Sequence, residues 1–129
     1  MNVKIPQISE SEWEVMRVLW SKSSPATAQE VIDQLASPNN WSPRTVKTLL
    51  NRLLKKNAIT FTKEGKMYYY SPVVTEEECC RMERRSFLQR IYNGSLAPMI
   101  IHFLKEEKLT KDEIEELKQI LDNKAQDAP

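Results

Sequence analysis

Trp41-Ser42-Pro43-Arg44-Thr45-Val46-Lys47-Thr48-Leu49-Leu50-Asn51-Arg52-Leu53-Leu54-Lys55-Lys56-Asn57 is the stretch on which the fold turns. Ser42 offers a cap hydroxyl, and Pro43 falls at the first helical position, where its missing N–H costs nothing. Trp41 and Val46 are spaced to staple that start. Val46, Leu49, Leu50 and Leu53 recur at helical spacing and make one apolar stripe. The pattern predicts a helix over 43–56, closed by Asn57, a residue able to adopt the left-handed conformation. The period then changes. Ile59-Thr60-Phe61-Thr62-Lys63 alternates apolar and polar residues, and Lys66-Met67-Tyr68-Tyr69-Tyr70-Ser71 is rich in strand-forming aromatics. Glu64-Gly65 reads as a tight hairpin turn and Pro72 as the end of the second strand.

Working outward, further helix starts are written as capping boxes: Ser9-x-x-Glu12, Thr27-x-x-Glu30, Thr75-x-x-Glu78 and Thr110-x-x-Glu113. In each, the hydroxyl accepts from the N3 amide while the Glu reaches back to the cap amide. Upstream, the apolar period predicts a helix over 10–21 that buries Trp13, Met16, Leu19 and Trp20. A second, over 28–36, buries Val31, Ile32 and Leu35, and Ser37-Pro38-Asn39-Asn40 breaks the chain. Three helices followed by a hairpin within residues 1–73 is the winged-helix order, a helix-turn-helix with an appended hairpin. Residues 74–129 read as three more helices, over 76–92, 96–107 and 111–123, with Asn93-Gly94 closing the first and a disordered tail from Asn123. Their apolar positions include Phe87, Ile91, Leu96, Met99, Ile100, Phe103, Leu104, Leu117, Ile120 and Leu121. So small a unit rarely builds a sufficient core alone, so it is expected to associate with a second copy through these residues. The expected architecture is therefore mainly α with a small β-hairpin: a winged-helix domain over 1–73 and a helical dimerisation domain over 74–129.

Composition narrows the chemistry. The chain has 129 residues, 40% hydrophobic and 29% charged, which suits a globular protein of one or two small domains. With no apolar run of membrane-span length and no secretory leader pattern, the expected location is cytoplasmic. Cys79 and Cys80 are adjacent and point apart on a helix, so they read as packing residues. The single His102 has no partner ligands nearby in sequence, so no metal and no cofactor are expected. The net charge is only +1, but residues 41–66 carry 7 Lys and Arg against 1 Glu. A nearly neutral chain with one basic segment points to an anionic partner for that segment.

The helix over 43–56 carries the recognition chemistry. With its stripe turned inward, it presents Arg44, Thr45, Lys47, Thr48, Asn51, Arg52 and Lys55 outward, with no acidic residue among them. Arg and Lys pair with guanine edges, Asn pairs with adenine, and Thr either hydrogen-bonds or touches the thymine methyl. Arg44, Thr45 and Thr48, near the helix start, are assigned to bases. Lys47, Arg52 and Lys55 are assigned to phosphates. Ser42 joins the interface at the cap, and Lys63 and Lys66 flank the hairpin tip, where they suit the DNA backbone or minor groove. Of the three consecutive tyrosines, one or two are expected to pack the strand onto the helices.

Ile8-Ser9-Glu10-Ser11-Glu12-Trp13-Glu14-Val15-Met16, Trp41-Ser42-Pro43-Arg44-Thr45-Val46-Lys47-Thr48-Leu49, Asn51-Arg52-Leu53 and Asp112-Glu113-Ile114-Glu115-Glu116-Leu117-Lys118-Gln119-Ile120-Leu121 resemble the penicillinase repressor family (BlaI/MecI type). The resemblance runs through nearly the whole chain. It implies a homodimeric repressor of β-lactamase or related resistance genes, acting on palindromic operators with TACA/TGTA-type half-sites. It also implies induction through a membrane sensor-protease that detects β-lactams and triggers cleavage of the repressor. The family's cleaved stretch aligns with Ile100-Ile101-His102-Phe103-Leu104, which makes His102–Phe103 the expected bond, with His102 standing where the family has Asn. The copper-sensing branch carries clustered Cys near its C-terminus, and this chain ends Ile120-Leu121-Asp122-Asn123-Lys124 without them.

A second reading keeps the fold and replaces proteolysis with a small-molecule or metal effector. That would call for a ligand pocket or a Cys/His cluster, and the sequence displays neither. An enzyme is the third reading. With one His, two Gly and no phosphate-cradling loop, no catalytic constellation is apparent.

Overall fold

The structure, a computed structural model, describes residues 4–129. Its elements run α1 (Glu10–Ser21), β1 (Ala26–Thr27), α2 (Ala28–Asn39), α3 (Pro43–Lys55), β2 (Ile59–Glu64), β3 (Met67–Pro72), α4 (Glu76–Tyr92), α5 (Leu96–Glu106) and α6 (Lys111–Asp127). The fold is mainly helical with a small antiparallel sheet of winged-helix type. All four capping boxes form. The hydroxyls of Ser9, Thr27, Thr75 and Thr110 accept from the N3 amides of Glu12, Glu30, Glu78 and Glu113, whose carboxylates accept from the cap amides in return.

The chain divides into two compact units, one ending at Arg85 and the other spanning Ser86–Pro129. The first therefore extends past the 73/74 boundary read from the sequence. The reason is packing: Val74 and Cys79 lie beyond that boundary and are buried in the first unit's core, at 2% exposure each. That core gathers Val15, Met16 and Leu19 from α1, Val31, Ile32 and Leu35 from α2, and Val46, Leu49, Leu50 and Leu53 from α3. Trp20 anchors the segment after the sheet by donating from Nε1 to the Val74 carbonyl at 3.0 Å.

The sheet has strand order β1-β3-β2. Its third strand was absent from the sequence reading. β1 is two residues long, too short to show a period, and pairs Ala26 with Tyr70 and Thr27 with Tyr69. Glu64 pairs with Met67, so the hairpin turn is Gly65-Lys66 rather than Glu64-Gly65. Gly65 takes φ +63° at the first turn position, where a two-residue type II′ hairpin requires a positive value.

Helix ends also depart from expectation. α2 continues to Asn39 through a kink at Ser37 (φ −97°, ψ 25°), because the residue before a proline resists helical geometry. Asn40, at φ 53°, closes the helix by donating its N–H to the Ala36 carbonyl. α6 runs to Asp127 instead of fraying from Asn123; Lys124-Ala125-Gln126 are good helix formers and nothing breaks the helix before Pro129. Within Ser86–Pro129 no residue is buried, and Ile91, Leu96, Phe103, Ile120 and Leu121 are each at least 46% exposed.

Candidate nucleic-acid interface

α3 is built to hold its outward face still. At its start, Ser42 Oγ accepts from the Thr45 amide at 3.2 Å. At its end, the Asn57 amide donates to the Leu54 carbonyl and the Ala58 amide to the Leu53 carbonyl, both at 3.0 Å, with Asn57 at φ 61°. This is the paired bonding of a Schellman closure. Val46, Leu49, Leu50 and Leu53 are buried. Arg44, Thr45, Lys47, Thr48, Asn51, Arg52 and Lys55 are all exposed, so one helix divides into an apolar and a cationic side.

The cations on that side are uncompensated. Among the described residues, Arg44, Lys47, Arg52, Lys55, Lys63 and Lys66 make no ion pair with any carboxylate, as the salt bridges that form involve other residues. Lys56 behaves differently. Its ammonium pairs with the buried carboxylate of Glu12 and donates to the Gln7 carbonyl at 2.9 Å. Burial pushes the Glu12 carboxyl up, but hydrogen bonds from Lys56 and from the Ser9 amide and hydroxyl outweigh it and leave the group below the usual carboxylate range. Lys56 thus belongs to the architecture, although it adds to the basic count of the segment in sequence.

Two clefts flank α3. On one side, Lys47 and Asn51 share a concavity with Gln29 of α2 and with Lys66, Met67 and Tyr68 of the hairpin. On the other, Arg44, Thr45, Thr48 and Arg52 line a second cleft with Ser11 and Trp41. The base-reader and phosphate assignments made from the sequence are therefore split differently in space: Arg52 lies with Arg44, Thr45 and Thr48, whereas Lys47 lies on the hairpin side. Lys63 Nζ stands 5.5 Å from the Tyr68 ring centre, and Phe61 meets the same ring edge-on at 5.0 Å. Tyr70 is the tyrosine that packs against the core. Gln29 and Ser11 were not singled out from the sequence, and Tyr68 was read only as one of three tyrosines of which one or two pack the strand onto the helices. Only the packing of α1, α2 and the hairpin around α3 brings the first two beside it. Tyr68 carried a faint signal as an aromatic two residues from the turn.

The hydroxyls on this face differ in what they have left to offer. Ser42 Oγ and Thr45 Oγ1 share a hydrogen bond at 3.0 Å. Thr48 Oγ1 donates to the Arg44 carbonyl, also at 3.0 Å.

The other singled-out residues fall in the second unit or away from α3. His102 is exposed, and its Nδ1 lies 3.2 Å from Tyr92 Oη. Phe103 is 46% exposed, with its ring centre 6.2 Å from that of Phe87. Met99, Ile100 and Leu117 are half-buried, and Leu104 is exposed. Cys79 is buried, and burial, reinforced by neighbouring Glu78, pushes its thiol up to about 11, which fits a packing role. Among the described residues no cluster of His, Cys, Asp and Glu is arranged to hold a metal ion, and no helix is long and apolar enough to cross a membrane.

Comparison with known proteins gives this surface its context. Residues 8–123 match the family described as penicillinase repressor. The chain belongs to the penicillinase repressor family. Among relatives of this repressor family, a penicillinase repressor of Bacillus licheniformis is 46% identical over 119 residues, covering 92% of each chain. The methicillin resistance regulatory protein MecI of Staphylococcus aureus is 36% identical over 124 residues, covering 96% of this chain and 100% of MecI. The solution structure of the DNA-binding domain of the repressor BlaI superposes with a TM-score of 0.53 at 45% identity, over 60% of this chain and 93% of that domain. Monomeric BlaI of Bacillus licheniformis in complex with the blaP half-operator gives 0.51 at 47% identity, over 58% of this chain and 90% of that one. A penicillinase repressor is a transcriptional repressor and not an enzyme, so the chemistry of this face is recognition.

Proposed function

We propose that this chain represses a β-lactamase or related resistance gene by binding palindromic operator DNA as a homodimer. In this reading α3 lies in the major groove and the hairpin rests on the adjacent backbone. The observation that carries it is the outward face of α3, where four cations without carboxylate partners among the described residues stand beside two more at the hairpin, around a buried apolar stripe. A solvated surface helix mixes both signs of charge, and this one does not. That the related BlaI is solved in complex with the blaP half-operator supports operator DNA as the partner.

Dimerisation is assigned to Ser86–Pro129, whose apolar side chains find no interior of their own. Induction is assigned to cutting of the His102–Phe103 bond, triggered by a membrane sensor-protease. The bond lies on α5 between two exposed side chains, and a cut there removes Phe103, Leu104 and α6 from the apolar surface. A protease reaches a helical peptide bond only after local opening of the helix.

The test of the DNA reading is the salt dependence of binding to a duplex with two TACA/TGTA half-sites. If each subunit neutralises about four phosphates, log affinity falls against log salt with a slope near about −7. A slope near zero, or equal affinity for scrambled duplex, overturns the reading. Mass spectrometry of the chain from cells exposed to a β-lactam tests the cut: full derepression with an intact chain rules out proteolysis.

A further inference from the structure

We propose that Thr48 reads a thymine of the operator through its methyl group and not through its hydroxyl. The inference rests on the DNA-binding reading above and assigns one contact within it. Thr48 stands on the second turn of α3, exposed, in the cleft it shares with Arg44, Thr45 and Arg52. A threonine hydroxyl has one proton to give. That of Thr48 goes to the carbonyl of Arg44, one turn back, at 3.0 Å. This back-bond turns Oγ1 in against the helix. The other heavy atom on Cβ, the methyl, is then the unbonded end of the side chain and faces out.

Thr45, on the same side of the helix, is chemically different. Its Oγ1 lies 3.0 Å from Ser42 Oγ, and Ser42 can be the donor, which leaves the Thr45 proton free for a base or phosphate. With Ser42 as the donor of that bond, two threonines three residues apart present a donor and a methyl. In the major groove, thymine is the one base that carries a methyl group, and threonine methyls are among its apolar partners. The hydroxyl of Thr48, with its proton spent, retains only acceptor capacity.

The experiment uses the full chain, a duplex with two TACA/TGTA half-sites, and the same duplex with each thymine in turn replaced symmetrically by deoxyuridine. Deoxyuridine pairs identically and lacks only the methyl. Removing one buried methyl contact costs about fourfold in affinity, so about fifteenfold when both half-sites are altered. At one thymine position, uridine weakens the wild type and Thr48→Val by that factor. Thr48→Ser is weaker by the same factor on the thymine duplex and indifferent to uridine at that position. The proposal is overturned if Thr48→Ser binds like the wild type while Thr48→Val is weak, which would make the hydroxyl the reader. It is also overturned if no uridine position costs the wild type more than it costs Thr48→Ser. A wild type that prefers none of these duplexes to scrambled DNA overturns the DNA-binding reading itself, an outcome separable from the other two. Both variants are isosteric or smaller at an exposed site, so folding is not at issue.

Discussion

The two compact units use the same local vocabulary and reach opposite ends. α1 and α6 both open with a complete capping box, and both show an amphipathic period. Yet α1 hides Val15 and Met16 completely, whereas no side chain of α6 is buried. Capping and periodicity specify that a helix forms and where it starts. They do not supply a second layer to cover its apolar side, and it is that layer that makes a unit self-sufficient. The first unit has α1, α2, α3 and the sheet around one interior. The second has three helical segments with their apolar side chains still in contact with solvent.

The sharpest way to test this contrast is to truncate one leucine in each unit. Leu53→Ala removes a fully buried side chain from α3 and should cost about 2–5 kcal/mol in urea unfolding. Leu121→Ala, at a residue 50% exposed, should stay within about 0.5 kcal/mol in dilute solution. Its effect should appear instead in sedimentation, as weaker self-association. Similar unfolding losses for the two variants would erase the distinction.

The ion pair beneath α3 gives a smaller effect with a pH signature. Lys56→Met leaves the Glu12 carboxylate, itself 1% exposed, without its cation. A fully buried pair broken this way costs about 3–5 kcal/mol. Lys56 is 35% exposed, so solvent already screens the pair, and about 1–3 kcal/mol is expected. The sign with pH follows from the depressed Glu12 value. A carboxyl held lower in the folded than in the unfolded chain stabilises at pH above about 4.3, and that contribution disappears as pH falls through the folded value. Below about pH 4.3 the wild type should therefore lose stability more steeply than the remaining groups alone would dictate, and Glu12→Gln should flatten that acid limb. An unchanged acid limb in Glu12→Gln would remove Glu12 from the account.

The caps themselves provide the finest comparison. Thr27→Ala removes a cap that is 9% exposed and joins β1 to α2, and should cost about 1–2 kcal/mol. Thr110→Ala removes the same motif from an exposed helix start and should cost about 0.5 kcal/mol, at the low end of the range. Thermal unfolding followed by circular dichroism resolves the pair. A larger loss at Thr110 would mean that the second unit has more interior than its exposure indicates.

What could be read from the chain divides along the same line. Five helix starts were legible because each is a contact between residues three apart: the four boxes and the Ser42 cap. The outward face of α3 was legible because a stripe of Val and Leu fixes which side turns inward. Two of the features missed depend on partners far away in sequence. β1 exists only because Tyr69 and Tyr70 of β3 lie alongside it. Lys56, counted in the basic segment of the sequence, turns to the architecture because Glu12, distant in the chain, receives it. The turn register moved by one residue because strand pairing, not the Glu-Gly dipeptide, decides which residues are left over at the tip. The Thr48 back-bond was local, but two-fold uncertain: at that position the residue type alone leaves open whether the hydroxyl or the methyl faces out.

The tryptophans have a consequence of another kind. All three, Trp13, Trp20 and Trp41, lie in the first unit; none falls between Ser86 and Pro129. Trp13 and Trp20 meet edge to face at 5.5 Å, with the Trp20 indole anchored to the Val74 carbonyl. Trp41 is half-buried and lines the cleft beside Arg44, Thr45 and Thr48. The chain thus carries a built-in optical probe confined to one of its halves. Indole emission follows unfolding of the core through the Trp13–Trp20 pair and occupation of the α3 cleft through Trp41. Residues 86–129 carry no tryptophan, so the signal reports the first unit directly and needs no label.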